Sequence, residues 1–162
     1  MKVSQYMTRP VLTIPPGHPF RQAIDQMHGR NINHLPVVDN GRVVGIVAKT
    51  DLLLAAANFG SAEVPVSEIV HKEPVCVTET AQLKYAARLL VKHHIGCLPV
   101  LNTRKQLVGI ITKTDIFKIT AGMLRARPDA KKASAKKVQK ASTKTVKKSG
   151  IKVAKKAGKK TA

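Results

Sequence analysis

Two short stretches place a hydroxyl or a carboxylate at the start of a predicted helix. Residues 109–115 read Gly-Ile-Ile-Thr-Lys-Thr-Asp, and residues 45–51 read Gly-Ile-Val-Ala-Lys-Thr-Asp. A carboxylate can accept hydrogen bonds from both hydroxyls of a sugar, and a hydroxyl beside a helix N-terminus favours a phosphate oxygen. The alternative is a helix cap, for which Thr and Asp are also preferred. Capping explains either Thr114 or Asp115 but gives no reason for Thr112, so we expect Thr112 and Asp115 to contact a ligand.

Both stretches belong to a longer repeated unit. Residues 32–38 (Ile-Asn-His-Leu-Pro-Val-Val) precede the first stretch, and residues 95–101 (Ile-Gly-Cys-Leu-Pro-Val-Leu) precede the second. The Leu-Pro-Val segments lie 63 positions apart and the Gly-Ile segments 64, so the second copy has one extra residue in its intervening turn. A unit that occurs twice at this spacing indicates an internal duplication.

Each copy predicts the element order strand, helix, strand, strand, helix. Prolines close the first strand of the first copy, and an Asn-Gly pair between two apolar runs indicates a hairpin. For the first copy we predict a strand at 11–14, a helix from about 19 to 29, strands at 35–38 and 43–47, and a helix that begins at Thr50 or Asp51. For the second copy we predict a strand at 75–77, a helix at 81–93, strands at 98–101 and 107–112, and a helix from 114 to about 122.

The predicted fold class is therefore α/β (α+β), with two pseudo-symmetric β-α-β-β-α units. Neither unit of about 60 residues buries a large core alone, so we expect the two to pack face to face and to leave a cleft between their sheets. We place the first unit at residues 1–62, the second at 63–124 and a basic tail at 125–162.

The charge of the chain changes abruptly near Met123. Residues 1–124 hold 14 Lys and Arg against 8 Asp and Glu, a net charge of +6, whereas residues 125–162 hold 15 against 1, a net charge of +14. All five aromatic residues precede this point. A segment with so much charge and so little apolar surface is predicted to be disordered when it is free.

The basic segment resembles the lysine-rich tails of linker histones, and we predict that it binds DNA or RNA without sequence preference. Its cations would release the counterions condensed on a polyanion. A solvated tail that aids solubility is the alternative; an anionic membrane surface is the lesser option, because the apolar residues are too sparse to form a helical face. The lysines predicted to contact nucleic acid are Lys131, Lys132, Lys136, Lys137, Lys147, Lys148, Lys155, Lys156, Lys159 and Lys160.

The repeated unit resembles a tandem pair of cystathionine-β-synthase (CBS) domains, an arrangement also called a Bateman module. The resemblance covers residues 7–122 and rests on three features that occur twice in the same order: Pro-Val at 10–11 and 74–75, the Leu-Pro-Val strands, and the Gly-Ile-x-x-Lys-Thr-Asp closings. It implies that an adenine nucleotide such as AMP or ATP, or a related adenosyl ligand, binds in the cleft as a regulatory ligand, with no cofactor required. It also implies a homodimer, which the apolar run Leu52-Leu53-Leu54 further supports.

By this resemblance, the Thr-x-x-Asp pattern contacts the phosphate and the ribose of the ligand. The second copy has the pattern intact, whereas Ala48 replaces the hydroxyl in the first copy, which keeps Asp51 and has Lys49 as a source of charge. We therefore expect at most two sites, chemically unequal, with the second-copy site the better nucleotide site.

By the same resemblance, the residue before Leu-Pro faces ligand phosphates in some members. That residue is His34 in the first copy, where a histidine bonded to nearby backbone is an equally good interpretation, and Cys97 in the second, which supplies no cation. Backbone groups and apolar walls would hold the adenine. The full set of predicted ligand-binding residues is Thr112, Lys113, Asp115, Val75, Val77, Thr78, Ile95, Cys97, Asp51, Lys49 and His34.

The sequence contains no nucleophile–base pair and no Gly-rich phosphate loop, so we expect a regulatory module and not an enzyme. The group His93-His94-x-x-Cys97 lacks a fourth ligand at useful spacing, and we expect no metal site there. Cys76 and Cys97 lie in apolar contexts typical of buried thiols in a reducing compartment.

We expect a cytoplasmic protein, associated with the nucleoid if its tail binds DNA, because its longest apolar run is much too short to span a bilayer. Two other functions stay open at this point. One is an architectural nucleic-acid-binding protein in which the repeated pair only dimerises. The other is a regulatory subunit docked on a separate enzyme or transporter.

Overall fold

The computed structural model describes residues 1–127. The predicted disorder of the tail, the ten lysines predicted to contact nucleic acid and most of the segment 125–162 therefore lie outside the described residues. Within residues 1–127, the chain forms two three-stranded sheets and four α-helices. In chain order these are α1 (Phe20–Arg30), β1 (His34–Asp39), β2 (Arg42–Ala48), α2 (Lys49–Phe59), β3 (His71–Lys72), β4 (Val77–Thr78), α3 (Leu83–Lys92), β5 (Cys97–Leu101), β6 (Leu107–Thr112) and α4 (Lys113–Thr120).

The first sheet has the strand order β1-β2-β3, and both of its pairings are antiparallel. The hairpin between β1 and β2 turns through Asn40 and Gly41, whose φ angles of 47° and 75° are those that a tight Asn-Gly turn requires. The register places His34 opposite Ala48. His34, the residue before Leu-Pro, therefore lies beside Ala48, the residue that precedes α2.

The second sheet has the order β4-β5-β6, with β4 parallel to β5 and β5 antiparallel to β6. Its register places Cys97 opposite Thr112, as the first sheet places His34 opposite Ala48. The hairpin connection is longer than in the first copy, as the spacing of the repeats predicted. The repeat in the sequence is therefore a repeat in the structure.

The predicted first strand of each copy is wrong in extent. Residues 11–14 contribute a single parallel bridge, from Ile14 to Val37, and the strand expected at 75–77 is reduced to Val77–Thr78. Prolines at 10, 15 and 16 lack the N–H that a ladder needs, and Pro74 has the same effect before β4. Strand β3 was not predicted, because two charged or polar residues carry no periodic signal.

Each sequence copy is completed by a segment that precedes the other copy. Val3 and Met7, in and after a short 3-10 helix at Val3–Gln5, belong to the core of the second copy, and Thr8 exchanges backbone hydrogen bonds of 2.8 and 3.1 Å with Ile110. Val66, in the matching 3-10 helix Val66–Glu68, belongs to the core of the first copy. Each of the two cores therefore draws residues from both of the predicted ranges, 1–62 and 63–124, and the predicted boundaries between the copies stay a prediction.

Two glycines at equivalent positions allow this exchange. A Cβ atom on Gly109 would lie 2.8 Å from Cγ of Met7 and closer still to its sulfur, and a Cβ on Gly45 would lie 2.7 Å from the backbone oxygen of His71. These separations are shorter than real Cβ contacts. The glycine of each Gly-Ile closing is thus required by a segment that crosses over the strand.

We predict that Gly109→Ala lowers the free energy of unfolding by about 1–3 kcal/mol, because the added methyl group overpacks the strand against Met7. Urea unfolding followed by far-ultraviolet circular dichroism measures this change. Gly29→Ala is the control: the space around Gly29 is open, and alanine in α1 is expected to raise the stability by about 0.5–1 kcal/mol. Equal effects of the two substitutions would contradict the crossing.

Candidate ligand site between the two halves

A cavity of about 410 Å³ lies between the two halves of the described chain. The first half contributes residues of β1, β2, α2 and β3, and the second contributes residues 73–75 before β4 and residues 94–97, which lead from α3 into β5. The volume is within the range of small-molecule sites. The lining residues are His34, Ile46, Ala48, Asp51, His71, Lys72, Glu73, Pro74, Val75, His94, Ile95, Gly96 and Cys97.

Asp51 is the carboxylate of this cavity, and the first turn of α2 positions it. Its Oδ2 atom accepts a hydrogen bond of 3.2 Å from the backbone N–H of Ala48 and lies 3.0 Å from Nε2 of His71. Both recorded contacts use the same oxygen, and the side chain is 29% exposed. Within residues 1–127, Oδ1 of Asp51 has no recorded partner, so it can accept a hydrogen bond from a ligand.

His34 lies against the second half of the molecule. A Cβ atom on Gly96 would lie 2.7 Å from Cε1 of the His34 ring, so Gly96 leaves the room that the ring occupies. Burial lowers the pKa of His34; the negative charge of Asp51 opposes this shift, and the positive charge of Lys113 adds to it. His34 is therefore held toward its neutral form beside the cavity.

The two cysteines are neutral thiols. Burial raises the pKa of Cys97 to about 12, with a smaller contribution from the nearby Cys76, and burial also raises the pKa of Cys76. The thiol of Cys76 donates a hydrogen bond of 3.3 Å to the carbonyl of Pro74. Because thiols that stay protonated are poor nucleophiles and poor metal ligands, Cys97 contributes a small, weakly polar wall to the cavity.

In the second copy, Thr112 and Asp115 cap α4 reciprocally. The hydroxyl and the backbone N–H of Thr112 donate to Oδ2 of Asp115 at 2.8 and 2.9 Å, and the backbone N–H of Asp115 donates to the Thr112 hydroxyl at 3.1 Å. The sequence argument that capping leaves Thr112 without a role was wrong, because Thr112 is itself the N-cap. The capping contacts use only Oδ2 of each acid, so capping and ligand binding are compatible at Asp51 and at Asp115.

Five of the predicted ligand residues line the cavity together: His34, Asp51, Val75, Ile95 and Cys97. The other six do not line it. Lys49 and Lys113 start their helices, and their backbone N–H groups donate to the carbonyls of Asn33 and Gly96; Val77 is buried in the second core, and the Thr78 hydroxyl lies 3.4 Å from that of Thr80. The remaining two, Thr112 and Asp115, cap α4.

Sequence reasoning did not predict His71, Lys72 and Glu73 as cavity residues. They come from the connector that crosses to the first half, and only Pro74 and Val75 carried a repeat signal. His94 was passed over although it precedes the predicted Ile95. Among residues 1–127, no group of three or more His, Cys, Asp or Glu side chains is arranged to hold a metal ion. In the same range, every helix is too short or too polar to span a bilayer.

The profile of the CBS domain matches the chain twice, at residues 3–58 and 66–122. The chain therefore belongs to the CBS domain family, and the α/β fold predicted for residues 1–124 is confirmed.

Solved structures support the same assignment. The CBS domain pair of protein MJ0100, determined in complex with 5′-methylthioadenosine and S-adenosyl-L-methionine, aligns with a TM-score of 0.70 and 28% identity over 75% of this chain and 97% of that one. The AcuB protein of Vibrio cholerae aligns with a TM-score of 0.69 and 38% identity over 76% of this chain and 93% of that one.

Among curated sequences, protein MJ1232 of Methanocaldococcus jannaschii is 29% identical over 122 residues, which are 75% of this chain and 40% of the relative. The chain spans less than half the length of the first curated relatives that it matches.

We predict that the low pKa of His34 makes the fold less stable in acid. The unfolded state takes up a proton near the ordinary histidine pKa of 6.5 and the folded state does so at lower pH, so stability is present above that value and falls as the pH drops through it. His34→Gln should flatten the decrease in unfolding free energy between about pH 7.5 and pH 5.5, measured by urea unfolding. The matched control His28→Gln, on the exposed side of α1, should keep the wild-type dependence. An equally steep decrease in His34→Gln would refute the assignment.

Proposed function

We propose that the chain is a non-enzymatic regulatory module that binds an adenine nucleotide or a related adenosyl ligand in the cavity between its two CBS units. The observation that carries this proposal is the Asp51 carboxylate at a helix start, facing a cavity of about 410 Å³ with walls from both halves. The complex of the MJ0100 CBS pair with two adenosine derivatives supports this ligand class. A ligand held by both halves gives a physical route to regulation, because it stabilises one arrangement of the halves.

In this proposal Oδ1 of Asp51 accepts from a ribose hydroxyl, while Oδ2 keeps its contact with the Ala48 N–H. Val75, Ile95 and Cys97 form the weakly polar wall against the adenine. Lys72 is the permanent cation of the cavity and is the group that would meet a phosphate.

The cavity favours Asp51 as the acid that binds the ligand, whereas the sequence favoured Asp115. Ala48 lacks the hydroxyl that Thr112 donates to its acid, and His71 takes the place of that donor at Oδ2 of Asp51. A second site at Asp115, with Thr112 and Lys113, stays a prediction. We expect the two sites to differ in affinity because their donors differ.

We predict that Asp51→Asn weakens ligand binding about tenfold or more, because a charge-assisted hydrogen bond to ribose becomes a neutral one. Isothermal titration of the full chain with AMP, ATP, S-adenosylmethionine and 5′-methylthioadenosine measures this. Asp115→Asn is the matched control, since it changes the equivalent acid of the other copy, and it should leave the tighter binding event unchanged. Absence of heat from all four ligands would defeat the ligand proposal; a loss confined to Asp115→Asn would move the site to the second copy.

We also propose that residues 125–162 attach the module to nucleic acid through sequence-independent electrostatics. The support is the net charge of +14 in 38 residues, which exceeds what solubility needs. The sequence contains no aromatic residue in this segment, so base stacking is not part of the proposal.

We predict that removal of residues 128–162 lowers the affinity for a random-sequence DNA duplex at least tenfold at about 0.1 M salt and flattens its salt dependence. Both hydrophobic cores lie within the remaining residues, so the shortened chain is expected to fold. Fluorescence anisotropy of labelled duplex at several salt concentrations gives both quantities. Full affinity in the shortened chain would show that the tail is not the principal contact.

Two further proposals concern protein partners. A homodimer is supported by the exposed fractions of Leu53 (52%), Leu54 (63%) and Phe117 (70%), on α2 and α4. Sedimentation of the full chain tests it. If the chain dimerises but binds no adenosine derivative, the architectural function is the better interpretation. If a specific enzyme or transporter co-purifies with the chain, the regulatory-subunit function is the better one.

A further inference from the structure

The two hairpin turns of the molecule enclose a second cavity, also of about 410 Å³. One wall is the β1–β2 turn and the other is the β5–β6 turn. Three of its side chains are cations, Arg42, Arg104 and Lys105, and all three are exposed. We call this site the hairpin cleft; its lining residues are Asn40, Gly41, Arg42, Val43, Leu101, Arg104, Lys105 and Gln106.

The backbone that carries these cations is held in place on both walls. On the first wall, the tight turn through Asn40 and Gly41 fixes the position of Arg42 at the start of β2. On the second wall, Oδ1 of Asn102 accepts from the backbone N–H groups of Arg104 and Gln106, both at 2.9 Å.

The side-chain amide of Asn102 also donates to Oε1 of Gln106 at 3.0 Å, and the backbone N–H of Lys105 donates to the carbonyl of Asn102 at 3.0 Å. Because the turns are anchored, the backbone atoms that carry each cationic side chain stay in place. Less conformational freedom is therefore lost when these side chains contact a ligand.

The positive charge of the hairpin cleft is not neutralised by the protein. Within residues 1–127, no salt bridge is recorded for Arg42, Arg104 or Lys105. The acid on these turns is Asp39, the ladder partner of Arg42, and it leaves an excess of two positive charges. Like charges held together in a concave surface attract counterions, and an anion with several charges relieves their repulsion best.

We infer that the hairpin cleft binds the phosphate backbone of a nucleic acid. The two guanidinium groups suit phosphate oxygens, which they can contact through two parallel hydrogen bonds, and Lys105 adds a point charge. The cleft lies on exposed turns and has few apolar walls, which suits a continuous backbone better than an enclosed small molecule. This inference deepens the nucleic-acid part of the proposed function and rests on it.

Backbone hydrogen bonds connect the last described residue to a residue that lines the cleft. The backbone N–H of Arg127, the last described residue, donates to the carbonyl of Gln5 at 2.8 Å. Ser4 donates to Glu79 at 2.9 Å, and Glu79 donates to Leu101, which lines the cleft, at 3.0 Å.

Neighbouring hydrogen-bonded segments lie about 4.8 Å apart, so Arg127 lies within roughly 20 Å of Leu101 along this path.

The test neutralises the cleft in the full chain. Arg42→Gln, Arg104→Gln and Lys105→Gln are combined, and duplex affinity is measured by anisotropy over a range of salt concentrations. If all three cations contact phosphates, the slope of log K against log salt should fall by about 2.7 and the affinity at about 0.1 M salt should fall at least tenfold. The matched control combines Arg30→Gln, Arg88→Gln and Lys92→Gln, three exposed cations on α1 and α3, and should change the affinity less than about twofold.

The outcomes separate this inference from the tail proposal. If the cleft and control variants change DNA affinity equally and removal of the tail lowers it strongly, the cleft inference is wrong and the tail proposal stands. If neither the cleft variant nor removal of the tail changes DNA affinity, both the cleft inference and the tail proposal are wrong. Titration with tripolyphosphate provides the second arm: if the cleft variant loses tripolyphosphate binding but keeps DNA affinity, the site takes small polyphosphates and the inference is wrong.

Discussion

The structure depends on the close passage of a chain segment over a glycine in the last strand of each copy. Met7 crosses at Gly109, and the Val70–His71 segment crosses at Gly45, where any Cβ would collide. Met7 is buried in the core of the second copy, and Val70, half-buried, packs against the core of the first, so each crossing joins the two copies through apolar contacts. Because units of about 60 residues bury little surface alone, this exchange makes the two copies a single cooperative structure.

The same crossing creates the candidate ligand site. The connector that enters the first half at Val66 continues through His71 and Lys72 to Pro74 and Val75, so one continuous stretch supplies the partner of Asp51 and the apolar wall. The site therefore combines an acid from the first copy with a wall from the second. Any change in the packing of the halves alters the distance between these two groups, which is the property that a sensing site needs.

The two copies have diverged where chemistry is possible and have been kept alike where packing is required. The crossing glycines and the acids at the helix starts occur in both copies. The side-chain donor to each acid differs: the Thr112 hydroxyl donates to Asp115, whereas His71 lies against Asp51 in the copy that has Ala48. His34 and Cys97 occupy equivalent ladder positions, yet one is a partly buried imidazole and the other a neutral thiol.

The sequence by itself determined the duplication, the two hairpins (the first with an Asn-Gly turn), the helices and the family, because these follow from local spacing and periodicity within each copy. It also predicted both acids, His34, Val75, Ile95 and Cys97 as site residues, which stays a prediction. It grouped the wall residues with Asp115 and did not name His71, whereas the cavity brings the wall together with Asp51 and His71, since a sequence pattern does not report which copy a connector packs on. Only the tertiary structure decided that, because the exchange depends on long-range contacts between Gly45, Gly109 and the segments that cross them.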